Sequence, residues 1–139
     1  MRETIKTVGV YFFFIGLVAA AIQLFMFRQY ATEAAWLLVK EQIGIASLSD
    51  FKKLGAICNS LRRTECSYRV FKKIVEEAPN DLNGLANLAI NLAIKKQYQE
   101  AEVYFNAYFS AGGSGEDVYR WYNTSRENIE SSKRKISSE

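Results

Sequence analysis

Few residues in this chain could carry chemistry. Cys58 and Cys66 are its only thiols, and there is no histidine. That removes the commonest general base and the commonest metal ligand, and two cysteines alone cannot complete a four-ligand zinc site. No nucleophile–base arrangement and no glycine-rich phosphate loop after a strand can be read in the chain. The sequence therefore predicts no enzyme, no cofactor, no metal and no small-molecule substrate. The net charge is only +3. Its basic pairs, Lys52-Lys53, Arg62-Arg63, Lys72-Lys73 and Lys95-Lys96, are spread along the chain with acidic residues between them. Nucleic-acid binding requires a clustered basic footprint, so no nucleic-acid partner is expected. Glu76, Glu77, Glu100 and Glu102 read as solvated helix faces, and Gly112, Gly113 and Gly115 as a loop hinge.

The elements that must position the cysteines are helical. Residues 82–109 read LNGLANLAINLAIKKQYQEAEVYFNAYF. Leu85, Leu88, Ala89 and Leu92 recur at helical spacing before the polar turn Lys95-Lys96-Gln97, and Tyr98, Ala101, Phe105 and Tyr108 follow it. The pattern repeats 34 residues earlier. Phe51 precedes Leu85 by that interval, Leu54 precedes Leu88, Gly55 precedes Ala89, Ser67 precedes Ala101 and Phe71 precedes Phe105. Small residues recur where two antiparallel helices must approach closely, and large ones recur between helices. Pro79, the only proline, stops the second helix of the first unit. Asn80-Asp81 then caps the next helix.

This interval and these positions resemble the tetratricopeptide repeat family. The likeness covers roughly residues 48–115. It departs from the family pattern at Cys58, where a large aromatic is usual, at Ser67 in place of alanine, and at Gly113 in place of proline. Beyond it, Tyr119 and Tyr122 continue the register from Leu85 and Leu88 into a polar segment that suits a capping helix. The expected architecture is all-α: an anchor at 1–28, an amphipathic helical stem at 29–47, two repeat-like hairpins at 48–115, and a capping helix with a polar tail at 116–139. The stem is expected to pack through Ala31, Ala34, Ala35, Leu38 and Val39.

Cys58 and Cys66 flank the predicted turn near Leu61-Arg62. Residues nearly equidistant from a turn face each other across a hairpin, within the Cα separation of about 4.4–6.8 Å that a disulfide needs. Two outcomes stay open: a disulfide, favoured in an exported domain, or two buried thiols acting as small apolar groups.

The first 28 residues carry the other strong signal. Thr7 to Phe27 form 21 residues without a charge, which at about 1.5 Å each reach roughly 30 Å, the thickness of a bilayer's hydrocarbon core. Twelve are Val, Ile, Leu or Phe, and at about −0.4 kcal/mol each they favour insertion by roughly 5 kcal/mol. A cleaved secretory signal is the rival reading, but the apolar run continues through Leu24-Phe25-Met26-Phe27. Arg2 and Lys6 precede the segment, so the positive-inside bias places the remainder outside the cytoplasm. Gly16 and Ala20, with Gly9 on the same face, offer a small-residue strip for packing against another membrane helix.

The repeat resemblance implies a partner groove lined by the first helix of each unit. Carried over by position, its residues are Lys52, Ala56, Asn59, Asn83, Asn87, Ile90 and Ile94, with Arg120 from the cap. Lys52 and Asn87 are similar to the family's carboxylate-clamp positions, but Ala56 stands where asparagine is needed. The expected protein is a single-pass scaffold of a bacterial inner membrane with a periplasmic domain. It would serve as an accessory or assembly subunit whose partners are other proteins, including another membrane protein. The alternative is a cytosol-facing receptor for a peptide or targeting signal.

Overall fold

The computed structural model describes the backbone of residues 2–136 and the side chains of residues 15–25, 28, 29 and 31–136. Six α-helices and no strand occur among them: α1 (Arg2–Gln42), α2 (Leu48–Ser60), α3 (Thr64–Glu77), α4 (Leu82–Ile94), α5 (Tyr98–Ser110) and α6 (Glu116–Ile136). The expected all-α class is observed. Each helix from α1 onward packs on the next, and α4 also meets α6.

Local chemistry fixes the boundaries. Ser47 caps α2 in a reciprocal pair, its hydroxyl accepting from Asp50 N while Asp50 accepts from Ser47 N. Asp81 caps α4 by accepting from Gly84 N at 2.8 Å. Ala78, the C-cap of α3, takes φ −137° and ψ 81° just before Pro79, because a residue preceding proline is sterically kept out of the helical region. Four helices end alike. Gly44, Arg62, Lys96 and Gly112 take positive φ, and the next residue's N–H returns to the carbonyl five positions back, as in Arg63 N to Cys58 O and Gln97 N to Leu92 O.

The 34-residue register is geometric as well as sequential. α2, α4 and α6 start at Leu48, Leu82 and Glu116, and α3 and α5 at Thr64 and Tyr98. The paired positions Phe51 and Leu85, Leu54 and Leu88, Ser67 and Ala101, Phe71 and Phe105 are all buried. At Gly55 an added Cβ would stand 2.8 Å from the tip of the Phe71 ring, so the small residue admits the large one. Burying a ring such as Phe71 or Phe105 contributes about 1.5–3 kcal/mol.

Three expectations need correction. First, the stem does not dock through Leu38 and Val39, which are 40% and 44% exposed, nor through the exposed Ala31 and Ala35. Leu37 is the buried residue, at 4% exposure, with Ala34 partly buried beside it. Ion pairs flank this docking face. The Glu41 carboxylate receives Arg69 at 3.2 Å and Lys73 at 2.9 Å from α3, and Lys40 reaches Asp50 at 3.1 Å. Second, Gly113 and Gly115 are not a free hinge. A Cβ on Gly113 would fall 2.3 Å from the Tyr108 ring, and Gly115 N donates to the Tyr108 hydroxyl at 2.9 Å. Third, Tyr119, in register with the buried Leu85, is not buried; the cap buries Val118, Ser125 and Ile129. Tyr122 packs edge-on against Phe105 and Phe109, while Tyr119 lies over Phe109 but stays half exposed.

Among the described residues no helix is long and apolar enough to cross a membrane. Of the uncharged stretch 7–27, only residues 15–25 fall among the described side chains. Most of the expected anchor, Gly9 included, therefore lies outside the described residues. The part that is described is exposed throughout, with Ile15, Leu17, Val18, Ile22, Leu24 and Phe25 all uncovered. Gly16 has no neighbour within 4 Å of an added Cβ, and Ala20 is likewise exposed.

Candidate partner-binding groove

The groove lies on the face shared by α2, α4 and α6. Between α4 and α6 a cleft of about 580 Å³ is lined by Ile90, Asp117, Arg120, Trp121 and Thr124. A second cleft, of about 480 Å³, is lined by Asn59, Arg62, Arg63, Asn91, Ile94 and Trp121, among others. Trp121 borders both, so the indole forms their common wall.

A chain of amides runs along this face, exposed at Asn59 and Asn83 and buried at Asn91. Asn91 Nδ2 donates to Ser67 Oγ at 3.1 Å, and Ser67 Oγ donates to Asn59 Oδ1. Asn59 Nδ2 donates to Asn87 Oδ1 at 2.7 Å, and Asn87 Nδ2 donates to the Asn83 carbonyl at 2.8 Å. Asn91 and Ser67 are buried, where an unpaired amide or hydroxyl would cost about 1–3 kcal/mol. No buried side-chain nitrogen or oxygen among the described residues lacks a partner. The chain of amides holds α2, α3 and α4 in register.

The expected groove residues divide. Ile90, Ile94 and Arg120 line the clefts. Asn59 lines one of them, and Asn83 and Asn87 belong to the amide chain, so these three are engaged with one another. Lys52 lines neither of these two clefts; its ammonium pairs with Asp81, the cap of α4, across the junction between the hairpins. Burial alone would raise the Asp81 carboxyl. The hydrogen bond from Lys52, with backbone N–H groups of Gly84 and Asn83, outweighs it and holds the group below its usual value. Asp50 is also lowered, to about 2, by the Ser47 N–H and hydroxyl and by Lys40.

The sequence reading missed Asn91 and Trp121. The signal for Asn91 was present: Asn83, Asn87 and Asn91 follow one another at i, i+4 on α4. Nothing in the sequence singled out Trp121, whose place depends on how α6 crosses α4.

Cys58 and Cys66 are joined as a disulfide, with Cα atoms 5.8 Å apart. It straps α2 to α3 beside the Arg62-Arg63 turn. No group of three or more potential metal ligands occurs among the described residues. Set against protein-family models, curated proteins and solved structures, the chain matches none of them.

Proposed function

We propose that this chain is an anchored adaptor of the tetratricopeptide repeat kind, without enzymatic activity. Its helical array would hold a segment of a protein partner on the α2, α4 and α6 face, while the N-terminal part of α1 sits in a bacterial inner membrane. In this reading the chain is an accessory or assembly subunit of a membrane complex, and its repeat domain faces the periplasm. The observation that carries the reading is the pair of clefts sharing Trp121 on the first-helix face. The 34-residue spacing of helix starts supports the repeat assignment. The exposed apolar side chains of residues 15–25 support an apolar environment for that part of α1, because such a surface is rarely left in water. The Cys58–Cys66 disulfide favours the exported arrangement over a cytosol-facing receptor, since disulfides persist in oxidising compartments.

The test is co-purification of detergent-solubilised complexes. Ile90→Asp with Trp121→Ala alters the groove alone, and Gly16→Leu with Ala20→Leu alters the membrane-helix strip alone. Each set should weaken recovery of the partner, and both together should abolish it, because tethering raises the effective concentration of the second contact. A partner retained in full by the combined variant rejects both surfaces. Release of the unsubstituted protein from membranes by alkaline washing rejects the anchor.

A further inference from the structure

We infer that the groove takes an acidic segment with apolar side chains, seated with carboxylates on Arg62 and Arg63 and apolar groups on Ile94 and Trp121. This rests on the groove reading above and specifies the partner's chemistry. The observation is an unmatched charge. Arg62 and Arg63 are exposed and rim the cleft lined by Asn59, Asn91, Ile94 and Trp121. Neither forms an ion pair among the described residues; the same holds for Lys53, Lys72 and Lys96, but the two arginines are the cations that line this cleft. Lys52 is held by Asp81, Lys95 by Glu65 at 3.0 Å, and Arg120 by Asp117.

Comparison with the second hairpin isolates the feature. In the 34-residue register Arg62 corresponds to Lys96 and Arg63 to the uncharged Gln97, so the second turn has no guanidinium pair; its remaining cation, Lys95, folds back over the Tyr68 ring at 4.3 Å, toward Glu65. A cation near a helix C-terminus is accounted for by the helix dipole. The dipole does not account for two guanidinium groups left open beside an apolar wall. The platform is also well held. Arg62 N donates to Asn59 O and Arg63 N to Cys58 O, both at 2.9 Å, and the disulfide ties the flanking helices. Guanidinium groups bind carboxylates through paired, charge-assisted hydrogen bonds. Ile94, 48% exposed, and Trp121 supply the apolar surface on which the same segment rests.

The experiment uses the full chain in detergent micelles with Trp36→Phe, which leaves Trp121 as the sole indole. Two synthetic peptides of equal length and identical Leu and Phe positions are titrated, one carrying Glu and Asp, the other Lys and Arg. The acidic peptide should shift Trp121 emission and bind at least about tenfold tighter than the basic one. The preference should weaken between low and high salt, because exposed charges are screened within about 8 Å at physiological ionic strength. Arg62→Glu with Arg63→Glu should reverse it. Equal binding of both peptides, lost on Ile90→Asp, overturns the acidic assignment and leaves the groove reading standing. An affinity for the acidic peptide that Arg62→Glu with Arg63→Glu does not change overturns it too. So does failure of both peptides to move Trp121 emission, or tighter binding of a single-stranded oligonucleotide than of the acidic peptide.

Discussion

The two hairpins share one register and solve its packing differently. In α4–α5 the close-approach positions are Ala89 and Ala101, Leu92 fills the inner position, and all three are fully buried. In α2–α3 the same positions hold Gly55, Ser67 and Cys58. Gly55 yields to the Phe71 ring, Ser67 spends its hydroxyl on Asn59 and receives Asn91, and Cys58 is bonded to Cys66. The second hairpin is held by apolar burial. The first exchanges part of that burial for a covalent strap and a polar chain, and gains outside support from α1 through Leu37 and the Glu41 ion pairs. A 34-residue pattern can thus be kept while the forces behind it change. The hairpin with the strap and the polar chain is also the one that carries the open arginine pair.

The largest test of this comparison is of the shared register. Leu88→Ala leaves a cavity at a position 1% exposed, and should cost about 2–5 kcal/mol in denaturant unfolding. Leu54→Ala, its counterpart at 2% exposure, should cost a similar amount, because the strap acts on the unfolded chain and fills no cavity. A negligible loss at either position would break the shared register.

The next is the strap itself. Closing a loop between residues eight apart should stabilise by about 2–3 kcal/mol in the chain-entropy model. Cys58→Ser with Cys66→Ser should lower the unfolding midpoint accordingly, and reductant should do the same to the unsubstituted protein. Amide exchange should rise first in α2 and α3, with α4 and α5 protected. A uniform rise along the chain would mean that the hairpins unfold as one unit and the strap is not local.

The smallest effect belongs to the junction of α1 and α2. The Asp50 carboxyl is held at about 2, below its ordinary value of 3.8. A depressed carboxylate contributes stability that is present above the unfolded value and lost as pH falls through the folded one. The junction should therefore loosen between about pH 4 and pH 2, and Asp50→Asn should flatten the acid-dependence of stability in that window. An unchanged acid profile in Asp50→Asn would show that the Ser47 cap and the Lys40 contact do not couple to folding.

Much of this architecture was legible because helical periodicity is local. The spacing of Leu85, Leu88 and Leu92, the proline at 79, the cap at Asp81 and the facing of Cys58 and Cys66 all follow from steric and hydrogen-bonding rules acting over a few residues. The interval of 34 added the second hairpin, because similar units stack in similar ways. Less of the groove was legible. Ile90, Ile94, Arg120 and Asn59 border clefts on that face, while Lys52 pairs with Asp81 and the asparagines bond one another. Repeat position says which face a side chain leaves from. It does not say which neighbour reaches it first.

The sequence by itself determined the helices, their ends and their order, since each depends on contacts within a turn or two of the chain. Only the tertiary structure decided the rest. It turned α1 so that Leu37 and Glu41, not Leu38 and Val39, meet the array, because burial of Leu37 and the pairing of Glu41 with Arg69 and Lys73 both depend on where α3 lies. It set Trp121 beside Ile90 and Ile94, because the crossing of α6 over α4 is fixed by side-chain packing between helices far apart in the chain. It also left Arg62 and Arg63 open while pairing most of the cations around them, an outcome of distances between elements that no spacing along one element encodes.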